Sequence, residues 1–535
     1  MMKIFPLFFA LVLCGALTLS GQARAAAIND QGAATLKKHV EDELLWRGNM
    51  ARISGSGLIT GGAVEVTPKT SFYEVRLPGL AMILGFEAKL NIGTVVINVV
   101  PGKSEEWMTS VALPPAMTLY AKTGAPLANI SIGTQHFSGA WMPSKGVYPR
   151  FDSLYQNVRI KLPGADNAEV AIGSLKAVSN LKGGADNTWS GHNSFEAADV
   201  KIDISGQNAI QLKIRKINVT NIYDRLDVIR ELEIRKKIQD LAGSVSTPAD
   251  EKKQAFISSL AAATQSMIDN FNNSFTVEGL SLRIKNSAAP ESPPAEFMLD
   301  KMAFQGNLRG ARQEKSAVSI KGGFAGLKTS AVPAALAGLI PDALNIDMNI
   351  DNLPVKNITG MMFSTLQKEI ETDKAPATPS PGAALTVENR VAAVFASLTQ
   401  MLQEAGASIS IQNTFLKNPD LEAKFTARVV ADAAAAIGAT GKITMSVKGL
   451  DDAISKLQSM KANPGADLKM DGYFDGLALL MMMGQPEKTA DGKTVYNYVF
   501  EIKNDSKTLL NNMNLRPPAN AVETPPAPPF KAPAP

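Results

Sequence analysis

Gln211-Leu212-Lys213-Ile214-Arg215-Lys216-Ile217-Asn218-Val219 is the stretch on which the fold turns. Apolar and polar residues alternate along it, the period-2 pattern of a strand with one wet and one dry face. A strand of that kind belongs to an antiparallel sheet, because parallel sheets are covered on both sides. Upstream, Val95-Val96-Ile97-Asn98-Val99-Val100, Asn129-Ile130-Ser131-Ile132 and Val200-Lys201-Ile202-Asp203-Ile204 are β-branched runs of the same type. The clusters Pro163-Gly164-Ala165-Asp166 and Gly183-Gly184-Ala185-Asp186 read as turns between strands. One helix precedes this region. Asp30 can cap it, Leu36, Val40, Leu44 and Leu45 share a face through Trp46, and Gly48 ends it.

Downstream the rhythm changes. Strands end in Val219-Thr220-Asn221-Ile222, Val355-Lys356-Asn357-Ile358 and Val447-Lys448-Gly449-Leu450, and each hinge leads into a helix, to about Leu241, Ile370 and Met460. Breaks follow at Ser246-Thr247-Pro248, at Ala375 to Pro381 and at Asn463-Pro464-Gly465. Second helices are expected over 249–271, 385–405 and 466–484, with strands resuming at Ser274–Lys285, Ser408–Asn413 and Val495–Lys503. The predicted fold is α+β: a long antiparallel sheet of β-meanders, covered by amphipathic helices, built from irregularly repeated β-hinge-helix units. Four segments result: a signal peptide over 1–25, a mainly β domain with an N-terminal helix over 26–221, a repeated α+β region over 222–515 and a Pro-rich tail over 516–535.

The ends fix the expected compartment. Lys3, an apolar run from Ile4 to Leu19 and the small-x-small Ala23-Arg24-Ala25 form a cleavable secretory signal, which predicts the periplasm of a Gram-negative bacterium. A retained anchor is the alternative, although Pro6 lies in the run and about 16 residues is short for a ~30 Å hydrocarbon core. No later segment is long and apolar enough to span a membrane. Cys14 is the one cysteine, so the mature chain has no disulfide or thiolate chemistry. The chain carries +4, and loss of Lys3 and Arg24 leaves about +2, a balance that argues against nucleic-acid binding. Beyond Arg516 the prolines preclude ladder hydrogen bonds and predict an extended spacer.

Reactive groups are sparse. His39 reads as a solvated helix residue, His136 as part of a strand and His192 as part of the turn Trp189-Ser190-Gly191-His192-Asn193; none has the spacing of a zinc motif. Glu41, Asp42 and Glu43 read as a wet helix face, and Asp451-Asp452 as a helix start that favours the dipole. Asp467 to Gly472 lacks the spacing of a calcium loop. Gly492-Lys493-Thr494 resembles the end of a phosphate loop, but Glu487 stands where glycine belongs and a strand follows, so Asp491-Gly492 is read as a hairpin turn. Met361-Met362 and Met481-Met482-Met483 suit adaptable core packing better than soft-metal binding. Trp107, Trp141 and Trp189, with Phe137, Tyr148 and Phe151, form either a core or a cleft. No catalytic, cofactor-binding or metal residue is assigned, no cofactor is expected, and ligand-binding residues stay open.

Three stretches carry a family resemblance: Ser138-Gly139-Ala140-Trp141, Val447-Lys448-Gly449-Leu450-Asp451 and the ending from Val499 to Asn511. With them the chain resembles the YdgA-like exported bacterial proteins of unknown function and, more loosely, the AsmA-like envelope proteins. The resemblance implies a long curved sheet in the periplasm with an apolar groove, and no catalytic residues. The expected function is a non-catalytic role in the cell envelope, through binding of a lipid or other apolar ligand along the sheet. A scaffold for envelope protein complexes is the alternative, and a hydrolase with an unrecognised site is third.

Overall fold

Twenty-four strands are joined in one antiparallel sheet in the computed structural model, which describes residues 28–227, 269–332, 338–361, 387–461 and 471–515 outside short loop segments. The first twelve are β1 Ser56–Ile59, β2 Glu65–Pro68, β3 Tyr73–Leu84, β4 Ala88–Pro101, β5 Trp107–Ala112, β6 Ala116–Ala121, β7 Pro126–Ser131, β8 Thr134–Met142, β9 Val147–Lys161, β10 Glu169–Gly183, β11 Thr188–Ile204 and β12 Ile210–Asp227. The rest are β13 Asn270–Ile284, β14 Ala295–Arg309, β15 Ser316–Ala325, β16 Lys328–Thr329, β17 Ala343–Leu353, β18 Ser408–Lys417, β19 Glu422–Ala431, β20 Ala439–Lys448, β21 Gln485–Lys488, β22 Thr494–Ile502, β23 Thr508–Leu510 and β24 Met513–Asn514. The helices are α1 Asp30–Ser54, α2 over 355–361, α3 Val387–Ala405, α4 Leu450–Lys461 and α5 Asp471–Met483. From β9 to β15 each strand pairs with the next, and the line continues through β17, β18, β19, β20 and β22. Toward the N-terminus, β5 and β6 lie end to end against β4, and β8 and β7 likewise against β9.

The 211–219 stretch is a strand, but its alternation skips a beat. Ile214 and Ile217 both face the side that holds the core, opposite Val200 and Ala197 on β11, and the doublet Arg215–Lys216 faces outward between them. The same skip falls at Pro78–Gly79, Gly93–Thr94, Gln156–Asn157, Gly173–Ser174, Ala198–Asp199, Glu278–Gly279 and Asp300–Lys301, each flanked by inward apolar residues. From β9 to β14 these positions face one another across neighbouring strands. Every second strand there adopts a left-handed conformation: Asn157 has φ 54°, Asp199 φ 53° and Gly279 φ 63°. An extra outward residue lengthens the outer path of a strand, so the strand bends toward its inner side. Because the skips are in register from β9 to β14, that part of the sheet creases along one line.

The inner side of the first half is filled. Leu36, Val40 and Leu44 of α1 join Tyr73, Val75, Ile97, Trp107, Trp141, Val158, Ile172 and Ala197 in one buried cluster. Asn29, rather than Asp30, caps this helix: its Oδ1 accepts from the Gly32 amide at 2.8 Å, and its own amide donates to the Tyr73 hydroxyl at 3.1 Å. The helix does not stop at Gly48 but runs to Ser54. Glycine costs a helix only about 1 kcal/mol relative to alanine, too little to end it here. Leu45, expected on the core face, is 58% exposed.

In the second half the hinges at 355 and 450 do turn strand into helix, the latter through Gly449 at φ 86°. The hinge at 219–222 does not. β12 continues to Asp227, held by β11 on one side and β13 on the other, so the 221/222 division falls inside a strand. β13 begins at Asn270, ahead of the expected Ser274. The signal over 1–25, the helix expected to about Leu241, most of the helix expected over 249–271 (whose last two residues, Asn270 and Phe271, are strand), the breaks at 246–248, 375–381 and 463–465, and the tail over 516–535 lie outside the described residues. Among the described residues no helix is long and apolar enough to cross a membrane.

Candidate functional site

Strand pairing fixes which side chains share a face, since directly opposed residues point the same way. On the inner face, Ile217, Val277, Met302, Phe324, Leu344 and Leu416 form one row across β12 to β18. A second row is Val219, Phe275, Phe304, Gly322 and Ile346. A third runs Gly306, Ile320, Met348, Ile411, Ala427, Ile443 and Phe500. No acidic or basic side chain stands in these rows. The charges are on the other face, in pairs such as Arg215–Glu278 at 2.9 Å, Lys216–Glu196 at 2.6 Å and Lys321–Asp347 at 3.2 Å.

Among the described residues this face is covered at both ends and carries exposed apolar side chains between. The α1 core covers it at β3–β11. At the far end, Leu480 and Met483 of α5 enclose a hollow of about 220 Å³ with Phe425, Met445, Tyr498 and Phe500. Between them Met302, Phe304, Ile346 and Ile409 are each 37–44% exposed. Isolated exposed apolar residues are ordinary, but neighbouring ones on one uncharged face make a patch of the kind that binds something. On the outer face a shallow recess of about 400 Å³ lies where Thr276, Ala303, Gly323 and Ala343 leave space beside Lys301, Lys321 and Phe415.

The residues singled out by sequence fall elsewhere. His39 is buried on α1, not solvated. Glu43 is likewise buried and bonds Arg47 Nε at 2.9 Å, while Glu41 and Asp42 stay exposed. His136 and His192 are exposed on β8 and β11; His192 sits in a strand beside an irregular pairing at Ser190, not in a turn. No hydroxyl or carboxylate among the described residues bonds either imidazole. Trp107, Trp141, Phe137 and Tyr148 are buried, with Trp107 and Trp141 rings 6.3 Å apart, and Trp189 is buried in a small neighbouring cluster. Burial pushes the Tyr148 hydroxyl well above its usual pKa despite its bond to Thr109.

Asp451 starts α4 and accepts from the Tyr496 hydroxyl at 2.5 Å, which raises Tyr496 to about 12 and ties the helix to β22. Gly492, at φ 77°, turns the hairpin between β21 and β22. Beside it Lys448 holds the Asp491 carboxyl far below its ordinary range. Met481 and Met483 pack into the C-terminal core, but Met482 is 76% exposed and fills nothing. Met361 closes the described part of α2, and Met362 lies outside it. Among the described residues no group of His, Cys, Asp and Glu is arranged to hold a metal.

Sequence reading missed three asparagines. Asn193, Asn221 and Asn273 oppose one another on the inner face of β11, β12 and β13. The sequence pattern puts Asn221 in a hinge and Asn193 in a turn, where a position on a strand face is invisible. Comparison with protein-family models, with curated proteins and with solved structures finds no match to this chain.

Proposed function

We propose that this is an exported, non-catalytic envelope protein that holds the acyl chains of a lipid along the inner face of its sheet. The observation that carries the reading is the open middle of that face, where Met302, Phe304 and Ile346 stand exposed in rows without a charge and Ile409, opposite Ile350, is exposed on the same face. Binding sites for apolar ligands are concave, largely apolar and preformed, and the in-register skips bend the sheet toward this face on the β9–β14 side of the open middle. In this reading the sheet is a long meander, and α1 and α5 shelter its apolar face toward the two ends. Export is read from residues 1–25.

Organic extraction of the purified protein followed by mass spectrometry tests the reading. Acyl lipid should co-purify, and Phe304→Glu combined with Ile346→Glu should reduce it at least about tenfold, because a carboxylate in an apolar site costs more than 1.4 kcal/mol. A lipid-free preparation that also ignores a fluorescent acyl probe would overturn it.

A further inference from the structure

One row of the inner face changes character along its length. It runs Ser179, Asn193, Asn221, Asn273 and then Gly306, Ile320, Met348, Ile411. Ser179 Oγ donates to Asn193 Oδ1 at 2.7 Å, and Asn273 Nδ2 donates to Asn221 Oδ1 at 2.6 Å. Both acceptor oxygens are thereby engaged. The Nδ2 groups of Asn193 and Asn221 have no acceptor among the described residues. These two donors sit on adjacent strands, about 4.8 Å apart in the pairing direction. Their neighbours on the same strands are apolar, Phe195 and Val219.

From this we infer that the asparagine pair binds the two ester carbonyls of a diacyl glycerolipid, whose chains then lie on the apolar part of the row. The inference rests on the lipid reading above and specifies its ligand class. The charge pattern chooses among lipids. A free fatty acid would bring an ionised carboxylate to a row that offers no cation, whereas an ester carbonyl needs only a neutral N–H donor. Dimensions agree as well. Gly306 to Ile411 covers β14, β15, β17 and β18, roughly 14 Å at the usual strand spacing, close to the ~15 Å depth of one leaflet's acyl layer.

The test compares a fluorescent diacyl phosphatidylcholine with its dialkyl ether analogue, which has the same chains and headgroup but no carbonyls. The full-length protein should bind the diester about tenfold more tightly. Asn193→Leu and Asn221→Leu should erase that preference by weakening diester binding toward the ether value, since leucine keeps the volume and removes the donor. Equal affinity of the unmodified protein for both lipids would overturn the inference and leave the lipid reading standing. A preference that survives in both variants would do the same. Failure of both lipids to bind would overturn the reading beneath it.

Discussion

Glu43 shows how a residue's surroundings, not its type, settle its role. By composition it belongs with Glu41 and Asp42, yet it lies one helical face round, at a spacing that adds it to Leu36 and Val40 and brings Arg47 beside it. Its charge and that of Arg47 are both felt at the buried hydroxyl of Tyr148 on β9, so the pair reaches across from helix to sheet. Glu43 is buried and bonded to Arg47, and breaking a buried ion pair costs about 3–5 kcal/mol. Glu43→Ala should therefore lower the urea midpoint strongly, whereas Glu41→Ala, at an exposed pair with Lys37, should change it within about 0.5 kcal/mol. Tryptophan fluorescence is the suitable monitor, because all four tryptophans, Trp46, Trp107, Trp141 and Trp189, lie in the first half. Equal midpoints for the two variants would refute the assignment.

At the level of the element, strand identity was legible and strand phase was not. Val95–Val100, Asn129–Ile132 and Val200–Ile204 all lie on the strands expected of them, apart from Ile132 at the end of β7. The skipped beat is written in the stretch itself, as two polar residues, Arg215–Lys216, between Ile214 and Ile217, but one doublet in a single strand does not say that its neighbours carry the same offset. Elsewhere its doublets, such as Pro78–Gly79 and Gly93–Thr94, carry the residues of turns. Read one strand at a time they are noise; aligned by pairing they form a line. Gly279 tests that line. It has φ 63°, and a Cβ there would meet the Arg215 Cβ at 2.9 Å. Gly279→Val should cost about 2–3 kcal/mol, visible as a lowered midpoint in far-UV circular dichroism. Gly306→Ala, whose added carbon would meet only Phe304 at 3.7 Å, should be nearly neutral. Loss of similar size at both positions would contradict the crease.

Across the whole molecule, the two halves share one sheet but not one degree of burial. Buried side chains crowd β3 to β11 and thin out from β12 onward. Local opening is easiest where few apolar contacts lie over the backbone. Amide hydrogen exchange should accordingly be slow in β4, β9 and β10 and faster in β14, β15 and β17, with lipid slowing the second group selectively. Uniform protection would count against the open face. That face was foreseeable in kind, from alternating strands without a reactive cluster, but not in place, because the rows exist only after pairing is known.

The strand-to-next-strand pairing from β9 to β15 has a consequence for how such a molecule changes size. Each strand there rests on the one before and the one after, and neither terminus is needed to close a ring. Duplication of a hairpin would lengthen the channel by about 10 Å and disturb no distant contact. Reach, in a protein of this design, is set by counting hairpins.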